Sequence, residues 1–277
     1  MTSYPSIDAL VTIAYEAGAL IKTMQRQVSL SVKQDGSVVT EADISANNLI
    51  LKALKRLTPD IPIISEEMPE KEKEEAFSGA STFWAIDPLD VTANYAAGGN
   101  TYSINIALVE NGVPVIGLLN FPGLEELYYT DGSGKAYKQV GKEPARIIHV
   151  APIQSGTKTA AVRPHSHATH VPVSENTLQV IFTRGQRRAC LVATGEATFC
   201  SEREGFRIWD SAATYAIVLA AGGAIQRHDG KPLRYNETLE LPAYFVGHPD
   251  LLGHLHAVQS EQPPEEIPVP TKKRKKA

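Results

Sequence analysis

Phe83-Trp84-Ala85-Ile86-Asp87-Pro88-Leu89-Asp90-Val91-Thr92 is the stretch from which the rest of this chain is read. Its first four residues form a short apolar run that suits a buried strand. Pro88 fixes its own φ and ends that strand. The turn after it can bring Asp87 and Asp90 onto one side of a loop, where two carboxylates repel each other unless a cation lies between them. A second acidic pair, Glu66-Glu67, directly follows another strand-like run, Ile61 to Ser65. Carboxylates clustered at strand ends suit hard cations, and an oxygen site with room for water and phosphate is what Mg²⁺ prefers.

Bulk properties bound the alternatives. The 277 residues are 43% hydrophobic and 21% charged, an ordinary globular composition. The net charge of −4 gives no global attraction to nucleic acid or anionic membranes. No stable nucleic-acid partner and no membrane partner are expected, and a substrate phosphate must be held by local cations or a metal. Cys190 and Cys200 are the only cysteines, which argues against a disulfide scaffold and for a cytoplasmic location. The N-terminus lacks the pattern of a signal peptide. No apolar stretch approaches the ~18–20 residues of a transmembrane helix.

The pattern along the chain predicts an α/β (α+β layered) fold of alternating helix and sheet layers. Ser6 to Met24 and Glu41 to Leu57 read as amphipathic helices. Gln34-Asp35-Gly36-Ser37 is turn chemistry. Met68 to Gly79 reads as a charged, solvated segment. Ser103 to Val109 and Val113 to Leu119 flank Asn111-Gly112, a strong hairpin signal. Leu127 to Tyr129 and Lys135 to Lys138 continue the sheet. From about Arg146 short strands alternate with helices, including Arg187 to Thr194 and Ser211 to Ala221. These shifts predict an N-terminal α+β portion over 1–145, carrying most of the acidic candidates, and a smaller α/β portion over 146–260. The last seventeen residues, 261–277, are proline-rich, then acidic, then basic, and are expected to be disordered.

Each acidic block has a plain reading by itself. Asp87 and Asp90 could be two solvated acids in a turn, Glu66 and Glu67 a surface loop, Thr40 and Asp43 a capping pair. Asp210, before an apolar helix, could be an N-cap. Together they require several separate acids to fall at strand–helix junctions by chance. Val39-Thr40-Glu41-Ala42-Asp43, then Ser65-Glu66-Glu67, then Trp84 to Asp90, then Trp209-Asp210-Ser211-Ala212-Ala213 resembles the lithium-sensitive, Mg²⁺-dependent phosphatases of the inositol monophosphatase superfamily. The resemblance covers roughly residues 5 to 255. Asn105 to Gly117 and Asp229 to Tyr235 are most similar to the 3'(2'),5'-bisphosphate nucleotidases, whereas Cys190 to Gly195 resembles the inositol phosphatases.

The resemblance implies a sugar-phosphatase-like sandwich with two or three Mg²⁺ ions between the two portions. It implies that Glu66, Asp87 and the Leu89 carbonyl hold one ion, that Asp87, Asp90 and Asp210 hold a second, and that a third shares Glu66. It gives catalytic roles to Thr92, hydrogen-bonded to Asp43, and to Glu66 as base partner. The substrate is a small phosphorylated molecule, foremost 3'-phosphoadenosine 5'-phosphate, with inositol monophosphate as the alternative. The protein is expected to be a monomer or homodimer.

The sequence departs from the family pattern at Val91, where a glycine is usual. Valine adds a β-branched side chain beside the phosphate and disfavours a positive φ, which leaves open an impaired enzyme or an inactive phospholigand-binding relative. Val91, Thr92, Asp210, Arg184 and Arg188 are the candidate substrate contacts. The two arginines, near Gly185, could meet a second phosphate or a ribose, or could mark a basic helix start on the surface. His165, His167 and His170 read as a solvated loop, in which Ser166-His167 could line the substrate entrance. Lys272 to Lys276 is a compact basic run that reads as a solubilising end.

Overall fold

A computed structural model of the chain describes residues 4–27, 30–32, 38–152, 158–162 and 178–252. The turn at 34–37, the histidine segment at 165–170 and the tail at 261–277 lie outside the described residues.

In chain order the elements are α1 (Ile7–Met24), β1 (Leu30–Val32), β2 (Val38–Thr40), α2 (Glu41–Leu57), β3 (Ile63–Ser65), α3 (Glu70–Phe77), β4 (Thr82–Asp90), α4 (Thr92–Ala96) and β5 (Ser103–Glu110). There follow β6 (Val113–Phe121), β7 (Glu126–Thr130), β8 (Ala136–Val140), β9 (Arg146–Ile148), β10 (Lys158–Val162), β11 (Leu178–Phe182) and α5 (Arg187–Ala193). The chain continues through β12 (Phe199–Glu202), β13 (Phe206–Arg207), α6 (Ile208–Ala220), β14 (Ala224–Arg227), β15 (Glu240–Leu241) and β16 (Tyr244–Gly247). The helices expected over residues 6–24 and 41–57 are α1 and α2, with Ser6 and Thr40 as their N-caps. The Asn111-Gly112 hairpin joins β5 to β6, with Asn111 left-handed at φ 50.

Four layers result. A seven-stranded sheet in sequential order β3 to β9 is antiparallel except for the parallel pair β3–β4. A five-stranded sheet has the order β11-β10-β12-β16-β14. The period of two along β4 sets the layering. Trp84 and Ile86 point to one core with Leu10, Ile13, Ile50 and Leu54 of α1 and α2. Phe83 and Ala85 point to the other, with Ile208, Ala212 and Ile217 of α6 and with Cys200 and Val246 of the second sheet. The order is therefore helix pair, sheet, helix pair, sheet.

Arg146–Ile148 pairs with β8 as the last strand of the large sheet. The core on the α6 side draws on residues from Ile64 to Val246, so the two portions share it. The segment over 68–79 contains a helix, α3, whose Lys73 is only 7% exposed. Its sequence Glu-Lys-Glu-Lys-Glu-Glu-Ala-Phe has no apolar stripe, so hydrophobic periodicity could not reveal it.

The seat of α6 on the large sheet fixes where Asp210 stands, and it depends on one glycine of β6. A β-carbon on Gly117 would come to 2.2 Å from the Ala213 carbonyl oxygen. Gly117→Ala is expected to cost about 1–3 kcal/mol by forcing the helix off the sheet. Urea unfolding measures this, and an unchanged midpoint would show that α6 is not packed against this backbone.

Candidate active site

The acidic blocks meet. Carboxylate oxygens of Glu66, Asp87 and Asp210 lie within 4.8 Å of one another. The register of β3 on β4 brings the first two together: Ser65 lies opposite Ile86, and the Glu66 N–H donates to the Ile86 carbonyl at 3.0 Å. Asp87 continues the alternation of Phe83 and Ala85 and so faces α6. Asp210 is the third residue of α6 and reaches back to accept the Arg207 N–H at 2.7 Å. It is thus the acidic partner in a capping arrangement and not the N-cap itself. The Asn105 amide, opposite Asp87 in the β4–β5 register, donates to the Asp210 carbonyl at 3.3 Å. Pro88 lies within β4, where the register with β5 shifts between Asp87 and Asp90.

The charges conflict. Burial raises the Asp87 carboxyl well above the usual range, and Glu66, Asp90 and Asp210 raise it further. Burial and then Asp90 and Glu66 do the same to Asp210. Asp90 is pushed up to about 6 by burial and Glu66, against partial offsets from the Val91 and Gln186 backbones and Arg188. Although Asp90 is half-exposed overall, its Oδ2 is enclosed and has no hydrogen-bond partner. An orphaned carboxylate oxygen beside three other acids is unfavourable in itself. An all-oxygen donor set with surplus negative charge fits a hard divalent cation.

Thr92 and Asp43 are also adjacent. Thr40 and Asp43 form the capping box of α2, with the Thr40 N–H donating to Asp43 Oδ2 at 2.8 Å. The remaining oxygen, Oδ1, lies 3.1 Å from the Thr92 hydroxyl, which is also 2.9 Å from the Leu89 carbonyl. The capping pair and the catalytic pair expected from the sequence therefore share Asp43. Val91, between Asp90 and Thr92, has φ 63 and ψ 43. This left-handed conformation costs a β-branched residue about 1–2 kcal/mol.

The basic candidates separate. Arg184 is exposed, next to Gly185. Arg188 is not on the surface: it is 1% exposed and holds Glu202 of β12 through Nε at 2.9 Å and Nη2 at 2.5 Å. With two donors committed to a buried carboxylate, its geometry is that of an interior ion pair rather than of the expected substrate contact. Arg187 pairs with Glu126, which Lys138 also reaches at 3.1 Å. Two groups near the acids were not among the sequence candidates. Gln186 is buried, accepts from Thr214 through Oε1 at 3.1 Å, and has an unpartnered Nε2. Thr214 lies four residues beyond Asp210, on the same face of α6, and that spacing alone could have pointed to it. Beside Asp210, the Trp209 ring has Lys73 Nζ at 4.6 Å and the Arg207 guanidinium at 4.8 Å from its centroid, and Glu70 of α3 bonds both cations.

Known proteins share this arrangement of the chain. The profile of the inositol monophosphatase family matches residues 4–262. The 3'(2'),5'-bisphosphate nucleotidase CysQ of Salmonella typhimurium is 35% identical over 236 residues, covering 83% of this chain and 93% of that protein. Its namesake from Buchnera aphidicola is 32% identical over 237 residues, covering 83% and 87%. The crystal structure of CysQ from Bacteroides thetaiotaomicron, described as a bacterial member of the inositol monophosphatase family, aligns with a TM-score of 0.72 at 28% identity, over 88% of this chain and 98% of that one. Among the described residues no helix is long and apolar enough to cross a membrane.

The charge conflict makes metal-free stability depend on pH. Asp90 moves from 3.8 to about 6, so the folded protein binds this proton more tightly than the unfolded chain does. Such a group is neutral in effect below about pH 4 and destabilises progressively as pH rises through 6. Asp87 and Asp210 act in the same direction. Chelator-treated protein is expected to melt at a lower temperature at about pH 7 than at about pH 5, and millimolar Mg²⁺ is expected to reduce the difference. A metal-free melting temperature that rises over this interval would contradict the arrangement. Separately, Arg188→Met removes both guanidinium donors from the buried Glu202 and is expected to cost about 3–5 kcal/mol in urea unfolding. A loss below about 1 kcal/mol, the level of an exposed ion pair, would place Arg188 at the surface.

Proposed function

The chain belongs to the inositol monophosphatase family and is a phosphatase of that family, and we propose that it removes the 3'-phosphate of a 3'(2'),5'-bisphosphorylated nucleotide with the help of Mg²⁺. 3'-Phosphoadenosine 5'-phosphate, giving AMP and phosphate, is the favoured substrate. The observation that carries the hydrolytic reading is the convergence of Glu66, Asp87 and Asp210 within 4.8 Å from three separate elements. The bisphosphate nucleotidases at 32% and 35% identity support the choice of nucleotide.

In this reading Glu66, Asp87 and the Leu89 carbonyl would hold one ion, and Asp87, Asp90 and Asp210 a second, with Glu66 shared by a third. When bound, such ions supply Lewis acidity and charge neutralisation to an in-line displacement at phosphorus. The chain itself positions the water. The Thr92 hydroxyl has one proton to give, to Asp43 or to the Leu89 carbonyl. With that proton engaged, its lone pairs are left to accept from a water and turn the water's oxygen toward phosphorus. Burial raises Asp43, partly countered by hydrogen bonds from Thr40 and Thr92, so it grips the Thr92 proton more strongly than an exposed carboxylate would. Glu66, half-exposed beside Asp87, accepts the proton the water loses. Val91 and Thr92 border the phosphate, and Asp210 borders the leaving group.

A second reading, a relative that binds phosphorylated ligands but turns them over slowly, is favoured by the left-handed Val91. Phosphate release from 3'-phosphoadenosine 5'-phosphate and from inositol 1-phosphate, with and without millimolar Li⁺, separates the readings. The nucleotide is expected to be hydrolysed faster, with inhibition by Li⁺, and no release from either compound would support the second reading. Asp87→Asn and Asp210→Asn are each expected to lower turnover by roughly a thousandfold or more. Each removes one of several repelling charges, so the metal-free melting temperature is not expected to fall. Full activity in either variant would overturn the site assignment.

A further inference from the structure

Val91 is strained, and such strain persists only where the surroundings enforce it, most often at functional sites. Here the neighbour that receives it is Gly185, itself left-handed at φ 55. A β-carbon on Gly185 would lie 2.7 Å from Val91 Cγ2 and 3.0 Å from Asp90 Oδ2. The valine methyl therefore occupies the room that a side chain at 185 would need. Two left-handed residues from distant parts of the chain are fitted to one another across the Asp90 carboxylate.

The consequence falls on the residues that flank Gly185. Gln186 is buried and fastened to α6 through Thr214. The Val91 methyl, just past the end of β4, packs against Gly185. Arg184 is the exposed residue carried by this doubly pinned backbone. A long cation on a fixed backbone loses less freedom when it engages an anion than one on a mobile loop. Its neighbour Gly185 abuts the Asp90 carboxylate, so this backbone borders the acidic cluster, and an exposed cation there suits a second anionic group of the substrate rather than the one that reacts.

We propose that Val91 is a specificity-determining residue: its isopropyl group wedges residues 184–186 against the Asp90 loop and so presents Arg184 to the second phosphate of a bisphosphorylated substrate. The proposal rests on the nucleotidase reading. Its test compares 3'-phosphoadenosine 5'-phosphate with adenosine 3'-monophosphate, which lacks the second phosphate, in the wild type, Val91→Gly, Val91→Ala, Arg184→Gln and the Val91→Gly/Arg184→Gln double variant. The ratio of kcat/KM, bisphosphate over monophosphate, is expected to fall about tenfold in Arg184→Gln, as for loss of one charge-assisted hydrogen bond. It is expected to fall severalfold in both Val91 variants, through KM for the bisphosphate, and no further in the double variant than in Arg184→Gln alone. A role confined to packing or to relief of strain would change both substrates by one factor, and that outcome overturns the proposal, as does an unchanged ratio in Arg184→Gln. If the wild type hydrolyses neither compound, the nucleotidase reading fails, and calorimetric binding of the same two compounds decides the Val91 proposal. A lowered binding ratio in Val91→Gly upholds it; an unchanged ratio, or no binding of either compound, overturns it.

Discussion

Glu66, Asp87, Asp90 and Asp210 bring like charge into one small volume, where burial and mutual repulsion outweigh the hydrogen bonds that Asp87, Asp90 and Asp210 accept. Their positions are set from behind. The parallel register of β3 on β4 places Glu66 beside Asp87, the alternation of β4 turns Asp87 toward α6, and the close seat of α6 on Gly117 brings up Asp210. The stabilising contacts lie in the two apolar cores, while the repelling charges gather at the ends of β3 and β4 and the first turn of α6. That division explains why the carboxyls are raised together and why a cation is the natural complement of the site.

The same economy appears in the smaller groups. Asp43 ends a helix with one oxygen and holds Thr92 with the other. Asp210 ties the first turn of α6 and still offers a carboxylate to the cluster. Asn105 links the β5 strand to the same turn. Each residue has a local structural role that fixes its orientation, which is the preorganisation that catalysis by positioning requires.

The acids were legible in the sequence because each sits at the edge of an apolar run, where a charge must have a reason to be. The helices and the β5–β6 hairpin were legible because their signals are local: a helical stripe, a cap, an Asn-Gly turn. What escaped was non-local or masked by composition. The strands β12 and β16 pair across more than forty intervening positions, and nothing near either announces the other. Arg188 lies in an Arg-Gly-Gln-Arg-Arg run and Glu202 in Ser-Glu-Arg-Glu, both of which read as surface, yet the pair is interior. The departure at Val91 was visible as a residue type, but the sign of its φ was not, because only the packing around it decides whether glycine's conformation is kept.

Trp209 gives the stacked cations beside Asp210 a further meaning. The chain has two tryptophans. Trp84 is fully enclosed in the α1–α2 core, its indole N–H donated to Thr58 at 2.9 Å. Trp209 adjoins Asp210 and carries Lys73 and Arg207 over its ring. One indole thus lies under two cations next to the acidic cluster and the other in the apolar interior, so two rings of nearly equal burial differ in the charge that surrounds them.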